Sequence, residues 1–471
     1  MNKLKADSVG WPIILASLLI GLALFSIFIN PHLFPWDERF HALVAYNLSL
    51  NPQFPMLYRE MPLEYFDSSL WYKSEAWLHK PPLFSYQMAF WIRLLGAKVW
   101  VVRLNSLFMF LAMSLAFYKL ARLHQAGRLQ SSLLVAIFSF SPILFTLISG
   151  RMGMDHNDLN FLGHIALSFF FLERFRLKRK LSDAILMGLF CAAAVLSKWL
   201  PGLLAFLSLG LFALQASLTK DTNAKLLWQG FALALFCTIL ITASWHLYAC
   251  SQYPQEWAHS MAYNSQHFSS ALENHGQAWY FHLKVWLSYL SLPLLFALIA
   301  LVFAPNKSSS IYLISFVFVL LFFSLAKTKL PAYSIIGLVP LYLIGLKLHA
   351  SRPKLAKGAG IALSVIAIGL SVLQVTNLYK RSLNDPEKKV FGFYTELASQ
   401  LPERTLLFNL PALQYPQAMF YTGALAFDYL PELNELRRLK KDGYEIILFS
   451  SDQKRLNESE YKGFKIVEYN P

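Results

Sequence analysis

Charged and polar side chains that could do chemistry recur where apolar segments of this chain end. Asp37 and Glu38 directly follow the first apolar segment, where a carboxylate could act as a base toward a substrate held in a bilayer. Lysine, histidine and tyrosine side chains, which can donate to a phosphate, mark the other ends. The further clusters are His79-Lys80-Pro81-Pro82, Arg151 to Asp158, Ser197-Lys198-Trp199, the segment with His259, Asn264, His267 and His275, and Lys327 to Tyr333. Solvated loop charges are the ordinary alternative for each cluster.

The elements that must position these residues are membrane spans. The chain has 471 residues, of which 56% are hydrophobic and 15% aromatic, and its mean hydropathy is +0.42. Many apolar segments are long enough to cross about 30 Å of hydrocarbon. The predicted spans are 11–29, 99–121, 131–149, 157–172, 183–199, 200–217, 226–248, 285–304, 310–326, 331–349 and 358–376. The sequence thus predicts an all-α polytopic membrane protein with about eleven transmembrane helices.

The net charge of +15 reflects membrane topology rather than nucleic-acid binding. If the N-terminus is cytoplasmic, most Lys and Arg residues fall in cytoplasmic segments and few in the short exterior loops, which fits the positive-inside rule. Leu83 to Gly96 is then too short and too polar for a span, so we expect a re-entrant or interfacial helix there. This topology leaves two large exterior loops, 30–98 and 249–284, and an exterior tail. The three cysteines have no ligand spacing, which argues against a disulfide framework or a zinc site.

The tail after Thr376 differs from the rest of the chain. It contains short β-like segments at Thr405 to Asn409 and Tyr444 to Ser450, with a polar helical stretch at Pro431 to Lys441 between them. The sequence therefore predicts a transmembrane domain, 1–376, and a small exterior α/β domain, 377–471. The tail shows no glycine pattern of the kind that cradles a nucleotide phosphate.

The order of the polar clusters resembles the GT-C membrane glycosyltransferases. The matching residues are Asp37-Glu38 after the first helix, Lys80-Pro-Pro-Leu before the next, Met154-Asp155, Ser197-Lys198 and Lys327-x-Lys329-Leu-Pro-x-Tyr333. The chain is most similar to the bacterial undecaprenyl phosphate-aminoarabinose (lipid A) transferases and the related protein O-mannosyltransferases. The resemblance covers about residues 10 to 350. It implies transfer of a sugar from a polyprenyl phosphate donor to lipid A, another glycan or a protein at the periplasmic face of a bacterial inner membrane.

The resemblance also implies catalytic roles for three acidic residues. Asp37 matches the acid that orients or deprotonates the acceptor as it attacks the anomeric carbon. Glu38 either binds the acceptor or holds the loop, and Asp155 matches a second family acid. A solvated loop acid and a helix cap are the structural alternatives for Asp37 and Asp155.

A second set of residues is predicted to bind the donor phosphate. Lys80 resembles the family lysine that contacts this phosphate, and Tyr333 resembles the tyrosine that hydrogen-bonds to it. The predicted substrate-binding residues are Lys80, Lys198, His267, Lys329 and Tyr333. A membrane-end lysine and an aromatic-belt tyrosine are the alternatives.

Three positions depart from the related group. His267-Phe268 stands where relatives commonly have an arginine before the phenylalanine, which would make a phosphate contact sensitive to pH. His79 replaces a frequent glutamate, and Asn264 replaces a histidine, at positions that can hold a divalent metal in the group. A metal is therefore possible, with His79 and Asn264 as weak candidates, and no cofactor is assigned.

The sequence thus predicts an inverting transferase in which the lipid phosphate is the leaving group. Its partners would be a polyprenyl phosphate-linked sugar, a lipid, glycan or protein acceptor, and the membrane, with no nucleic acid. A lipid-linked sugar flippase or secondary transporter is the alternative, and it would need ionisable groups near the bilayer centre. Neither the sugar nor the acceptor is specified by the sequence.

Overall fold

The computed structural model describes residues 29–63, 66–151, 157–452 and 454–470. Asp155 and all of the first predicted span except Ile29 lie outside these residues. The chain divides into two compact units. The first unit contains Lys80–Phe84 and Asn105–Lys380, and the second contains Asn30–His79, Ser85–Leu104 and Arg381–Pro471.

The described residues are mainly helical. The first nine helices are α1 (Asp37–Leu50), α2 (Leu83–Leu95), α3 (Val99–Leu123), α4 (Arg128–Ser139), α5 (Pro142–Ser149), α6 (Asn157–Lys178), α7 (Leu181–Lys198), α8 (Leu204–Leu218) and α9 (Ala224–Gln252). The next seven are α10 (Pro254–Ser269), α11 (Phe281–Tyr289), α12 (Ser291–Phe303), α13 (Lys307–Leu325), α14 (Leu338–Ser351), α15 (Pro353–Ser382) and α16 (Pro386–Ala398). The remaining elements are β1 (Thr405–Phe408), α17 (Tyr415–Thr422), β2 (Leu425–Ala426), α18 (Leu433–Lys441), β3 (Glu445–Ser450) and β4 (Lys465–Glu468).

Among the described residues, six helices are long and apolar enough to cross a membrane, and two bent helix pairs would raise the number to eight. Of the other three predicted spans, 11–29 lies almost wholly outside the described residues. Segment 157–172 is helical in α6 but too polar to pass the same test. Segment 331–349 corresponds to a shorter apolar helix, Tyr333–His349, which begins as a 3₁₀ helix at Tyr333–Gly337. The predicted fold class is confirmed, while the count of eleven stays a prediction.

Proline explains both bent spans. The α4–α5 pair bends by 69° just before Pro142, and the α11–α12 pair bends by 92° just before Ser291. A proline ring clashes with the carbonyl four residues earlier and disfavours helical geometry at the residue before it. Helix α11 ends at Tyr289, four residues before Pro293.

The predicted exterior loop 249–284 is largely helical. Helix α9 continues to Gln252, and α10 begins one residue after Tyr253, with Pro254 at its first position. Proline suits the first helical turn, where its missing N–H would have no partner. The helix gives His259 and His267 fixed positions, and the exterior location of the segment stays a prediction.

The second unit contains a four-stranded parallel sheet in the order β2-β1-β3-β4. Leu406 of β1 lies opposite Ile446 of β3, and Leu448 of β3 lies opposite Ile466 of β4. Strand β1 is buried along its whole length, as expected for a parallel sheet covered on both faces. The predicted small α/β domain is confirmed, and its predicted strands and polar helix correspond to β1, β3 and α18.

The tail belongs to the same compact unit as residues 30–79 and 85–104. Tyr58 stacks on Phe427 with ring centroids 5.3 Å apart, and the Tyr415 hydroxyl donates to the carbonyl of Tyr72. The Leu33 N–H donates to the Tyr421 hydroxyl over 2.8 Å. Aromatic side chains from both segments thus share a core. The predicted boundary at residue 377 stays a prediction.

Candidate functional site

The first unit contains a cavity of about 400 Å³ that joins distant parts of the chain. Its polar lining comprises Lys80, Asp158, Lys198, Trp199, Asn264, Ser265, His267, Thr328 and Tyr333. Its apolar lining comprises Phe161, Leu200, Pro201, Met261, Phe268, Phe322, Phe323 and Ala326. A cavity with clustered donors beside an aromatic and aliphatic wall suits a ligand that is polar at one end and apolar at the other.

Lys198 lies at the centre of the polar lining. Its ammonium group donates to the carboxylate of Asp158, whose side chain is 2% exposed. The same ammonium group lies 4.6 Å from the ring centroid of Tyr333. The carboxylate and the ring both attract the ammonium group. These three side chains come from α6, α7 and the start of the 3₁₀ helix Tyr333–Gly337, so their contacts fix one geometry across three elements.

Backbone strain occurs beside Lys198. Trp199 has φ 78° and ψ −170°, a region that is nearly confined to glycine. Its backbone N–H still donates to the Val195 carbonyl over 2.8 Å, and its ring stacks near His246 at 5.9 Å. The strained turn changes the chain direction between α7 and α8, and it places Lys198 at the end of α7, against the cavity. Such strain persists only where surrounding contacts hold it, and it is common at binding sites.

Buried hydrogen bonds between side-chain amides and a hydroxyl connect α6 to α7. The Asn160 side chain donates to the Ser197 hydroxyl over 3.1 Å, and the Asn105 side chain donates to Asn160 over 3.3 Å. Ser197 in turn donates to the Ala193 carbonyl over 2.8 Å. Because Ser197 precedes Lys198, these hydrogen bonds hold the lysine in register with Asp158.

A short ladder of backbone hydrogen bonds aligns the other side of the cavity. The N–H groups of Lys327, Thr328 and Lys329 donate to carbonyls of Phe268, His267 and His275 over 2.9 to 3.1 Å. The Thr328 hydroxyl donates to the Ser270 carbonyl over 2.8 Å and accepts from the Leu272 N–H over 3.0 Å. These bonds connect the two segments that supply His267 and Tyr333.

Four of the five predicted substrate-binding residues therefore line one cavity: Lys80, Lys198, His267 and Tyr333. Lys329 does not line it. Its side chain is 4% exposed and donates to the Ala326 carbonyl, so the ammonium group caps the end of the preceding helix. The backbone N–H of Lys329 belongs to the ladder, and a substrate-binding role for its side chain stays a prediction.

The predicted catalytic residues Asp37 and Glu38 begin α1 in the second unit. Trp36, just before Asp37, has φ 73° and is 56% exposed, so a second strained tryptophan adjoins a predicted site residue. Asp37 is half-buried. Glu38 is buried and bound by Arg103, whose Nε and Nη2 donate to its two carboxylate oxygens over 2.8 Å. This bidentate pair matches the loop-holding role that the sequence left open for Glu38.

Arg103 is a residue that the sequence analysis missed. It is fully buried and also donates to the carbonyls of Asn30 and His32. Burial lowers the pKa of His32, although the Leu33 carbonyl and the Asp385 carboxylate, 3.5 Å away, raise it. An arginine within an apolar segment was the available signal, since a charge there requires a partner.

The two weak metal candidates lie in different units of the chain, and their role stays a prediction. His79 belongs to the second unit and stacks on Trp71 with centroids 4.2 Å apart. Asn264 belongs to the first unit, where its amide donates to the Ser260 carbonyl over 2.8 Å. In the part of the chain that the structure describes, no group of three or more His, Cys, Asp or Glu side chains is placed to hold a metal ion.

Comparison with known proteins identifies relatives of this architecture. Residues 79–245 match the model of the dolichyl-phosphate-mannose-protein mannosyltransferase family, a segment that contains Lys80, Asp158 and Lys198. An undecaprenyl phosphate-alpha-4-amino-4-deoxy-L-arabinose arabinosyl transferase of Pseudomonas aeruginosa (strain UCBPP-PA14) is 28% identical over 255 residues, which cover 51% of this chain and 45% of that protein. The chain thus spans about half the length of the curated relatives it matches.

Solved structures extend the similarity of fold to most of the chain. ArnT from Cupriavidus metallidurans bound to undecaprenyl phosphate matches with a TM-score of 0.69 and 16% identity, covering 92% of this chain and 88% of that one. The Archaeoglobus fulgidus oligosaccharyltransferase matches with a TM-score of 0.54 and 13% identity, covering 90% and 65%. The chain is therefore a multi-pass membrane protein with the fold of the GT-C glycosyltransferases, similar to the aminoarabinose transferases and to the protein mannosyltransferases, as its sequence predicts.

Proposed function

We propose that this chain is a glycosyltransferase that moves a sugar from a polyprenyl phosphate donor to an acceptor at the exterior face of a bacterial inner membrane. The observation that carries the proposal is the cavity that brings Lys80, Lys198, His267 and Tyr333 together beside an apolar wall. The relatives named above include a transferase named for an undecaprenyl phosphate donor and a structure with undecaprenyl phosphate bound, and they support the same donor class here.

The charges of the cavity suit a phosphodiester. Lys80 and Lys198 each contribute a positive charge and Asp158 a negative one, so the lining carries a net single positive charge when His267 is neutral. A polyprenyl phosphate sugar is a phosphodiester with one negative charge. When the bond to the anomeric carbon breaks, the phosphate gains a further negative charge. Two ammonium groups at that position would stabilise the leaving group in the transition state.

The apolar wall would receive the first isoprene units of the donor. Phe161, Phe268, Phe322 and Phe323 face the same cavity as the lysines. Phe268 is 49% exposed, so part of this wall remains open to an incoming lipid. Aromatic and aliphatic contacts would bind the hydrocarbon with little specificity, while the charged residues of the cavity would set the orientation of the donor. Tyr333 would add a hydroxyl donor to the phosphate.

Asp37 is the proposed base of the reaction. A half-buried carboxylate held beside a strained residue, Trp36, is suited to a fixed catalytic position. It would align or deprotonate the acceptor nucleophile as that group attacks the anomeric carbon, with inversion. Glu38, bound by Arg103, would hold the start of α1, and Asp155 remains a predicted second acid. No metal enters the proposed step.

The proposed orientation places the N-terminus inside and the second unit outside. The distribution of Lys and Arg along the sequence supports it. A reporter that is active only outside the cytoplasm should be active when it is fused after Pro471. Activity at the same position of a reporter that works only in the cytoplasm would refute this orientation.

Mass spectrometry of cells with and without the chain tests the function. One of three classes of acceptor, namely lipid A, surface glycans or exported proteins, should lose a sugar-sized mass when the chain is absent and regain it with the wild-type chain. Lys80→Ala should restore little of the product. Lys284→Ala should restore all of it, because Lys284 is exposed and does not line the cavity. Unchanged masses in all three classes of acceptor would refute the proposed transfer.

A further inference from the structure

A second cavity of the first unit, with a volume of about 730 Å³, lies between α3 and α6. It is lined by Ala112, Leu115, Ala116, Lys119, Arg122 and Leu123 of α3 and by Leu167, Phe170, Arg174 and Lys178 of α6. The lining positions follow helical spacing on both helices, so each helix presents one continuous face. We call this cavity the α3–α6 groove.

The groove is basic at one end. Lys119, Arg122, Arg174 and Lys178 line it, and its lining contains no acidic residue. Lys119 and Lys178 are exposed, and among the described residues neither has a carboxylate within 4 Å. Arg174 is 3.1 Å from Asp183 and lies over the ring of Phe170, which fixes its guanidinium group at the edge of the groove.

The acidic residue nearest in sequence does not neutralise the groove. Glu173 is fully buried, and it is bound by Arg176, by the Tyr312 hydroxyl and by His124 at 2.8 Å. Because α6 turns by about 100° per residue, Glu173 and Arg174 point in different directions. Lys119, Arg122 and Lys178 therefore carry the uncompensated positive charge of the groove, because Asp183 pairs with Arg174.

The other end of the groove is apolar. Ala112, Leu115, Ala116, Leu167 and Phe170 line it, and Leu115 is 52% exposed. From Ala112 to Leu123 the α3 face extends for about 16 Å, at 1.5 Å per residue. The apolar part of this face, Ala112 to Ala116, covers about 6 Å, which is enough for the part of an acyl chain next to its headgroup.

We propose that the α3–α6 groove binds an anionic phospholipid of the bilayer. Its phosphate would lie against Lys119, Arg122 and Lys178, and an acyl chain would lie on the small and apolar residues between the helices. A basic cluster at the end of an apolar groove between membrane helices complements both parts of such a lipid. The donor lipid of the proposed reaction is a poorer occupant, since the groove is far from the cavity at Lys198. Asp158 and Arg174 are separated by about 24 Å along α6, nearly the thickness of the hydrocarbon core.

Lipid binding to the purified full chain tests the proposal. Native mass spectrometry would count phosphatidylglycerol, phosphatidylcholine and undecaprenyl phosphate retained by the protein over a titration of each lipid. Wild-type protein should retain phosphatidylglycerol and not phosphatidylcholine. The double variant Lys119→Gln with Lys178→Gln should bind phosphatidylglycerol about 30-fold more weakly, given a roughly fivefold loss for each cation removed.

Two further variants separate the groove from general surface charge. Lys354→Gln with Lys357→Gln removes two exposed lysines from the start of α15, outside the groove, and should leave phosphatidylglycerol binding unchanged. Ala112→Phe keeps all four cations and fills the apolar end, so it should weaken binding, and Ala112→Leu should do so to a smaller extent. Thermal unfolding of each variant checks that it is folded.

Several results would overturn the proposal. Equal losses in the two lysine pairs would show binding to surface charge in general. Unchanged binding in both Ala112 variants, provided both fold, would show that no acyl chain enters the groove. Displacement of phosphatidylglycerol by an equal amount of undecaprenyl phosphate would assign the groove to the polyprenyl lipid instead. Because the readout is lipid binding, none of these results depends on the proposed transferase activity.

Discussion

Replacing Lys198 by methionine should both destabilise the protein and weaken donor binding. The side chains of Lys198 and Asp158 are 14% and 2% exposed, so both charges are largely removed from water. Methionine keeps the length of the lysine stem but leaves the Asp158 carboxylate without this partner. Breaking a buried ion pair from one side costs about 3–5 kcal/mol. We therefore expect a loss of that order in the free energy of unfolding.

A double variant separates stability from binding. Lys198→Met with Asp158→Leu removes both charges, and an apolar pair of similar volume is often neutral or stabilising. The free energy of unfolding should then return to within about 1 kcal/mol of wild type, a difference small enough for ordinary core repacking. Donor-phosphate affinity should not return, because the ammonium group that meets the phosphate is still absent.

Denaturant unfolding in mixed micelles measures stability, and equilibrium binding of undecaprenyl phosphate measures the phosphate contact. Loss of a charge-assisted contact of about 1.5–3 kcal/mol corresponds to a roughly 10- to 150-fold weaker affinity. If the double variant regained wild-type affinity together with its stability, Lys198 would be a structural partner of Asp158 and no phosphate ligand. If Lys198→Met were as stable as wild type, the buried ion pair between Lys198 and Asp158 would be refuted.

Four other predictions concern the remaining polar residues. Asp37→Asn should lower the transfer rate by about 10²–10⁴-fold without unfolding the protein, and wild-type turnover would exclude it as the base. Lys80→Ala should raise the donor KM more than the acceptor KM, with partial recovery in Lys80→Arg, whereas unchanged donor kinetics would make it a membrane anchor. Arg103→Met should lower the free energy of unfolding by about 3–5 kcal/mol because Glu38 loses its bidentate partner, and a neutral effect would contradict this contact. Because the pKa of His32 is lowered in the folded state, the unfolded chain binds more protons than the folded chain below about pH 6.5. The free energy of unfolding should therefore decrease as the pH decreases below that value, and His32→Gln should make this dependence weaker.

Local sequence signals predicted the elements that local physics determines. Strands β1 and β3 were predicted because short apolar segments with β-branched and aromatic residues are bounded by polar ones. Pro142 and Pro293 were visible as possible breaks, yet span length alone suggested continuous helices. Strand β2, of two residues, is too short to leave a pattern in the sequence.

The candidate site was predicted one residue at a time but not as a geometry. Chemical type and position at span ends indicated Lys80, Lys198, His267 and Tyr333, and these do share a cavity. Lys329 has the same type and a similar position, but its backbone ladder turns it toward the Ala326 carbonyl. The ladder joins residues 327–329 to residues 267–275, more than fifty positions earlier in the chain. The periodicity of a sequence does not predict contacts at that distance along the chain.

The composition of the second unit has a consequence for biosynthesis. Its early segments, Asn30–His79 and Ser85–Leu104, are separated from Arg381–Pro471 by nearly three hundred residues, most of which belong to membrane helices. At a translation rate of 5–20 residues per second, the early segments wait roughly 15–60 s for the tail to be made. During that time Tyr58 and its aromatic neighbours have no stacking partners from the tail. The nascent chain therefore needs protection at this stage, and chains interrupted before residue 381 should be targets for quality-control proteases.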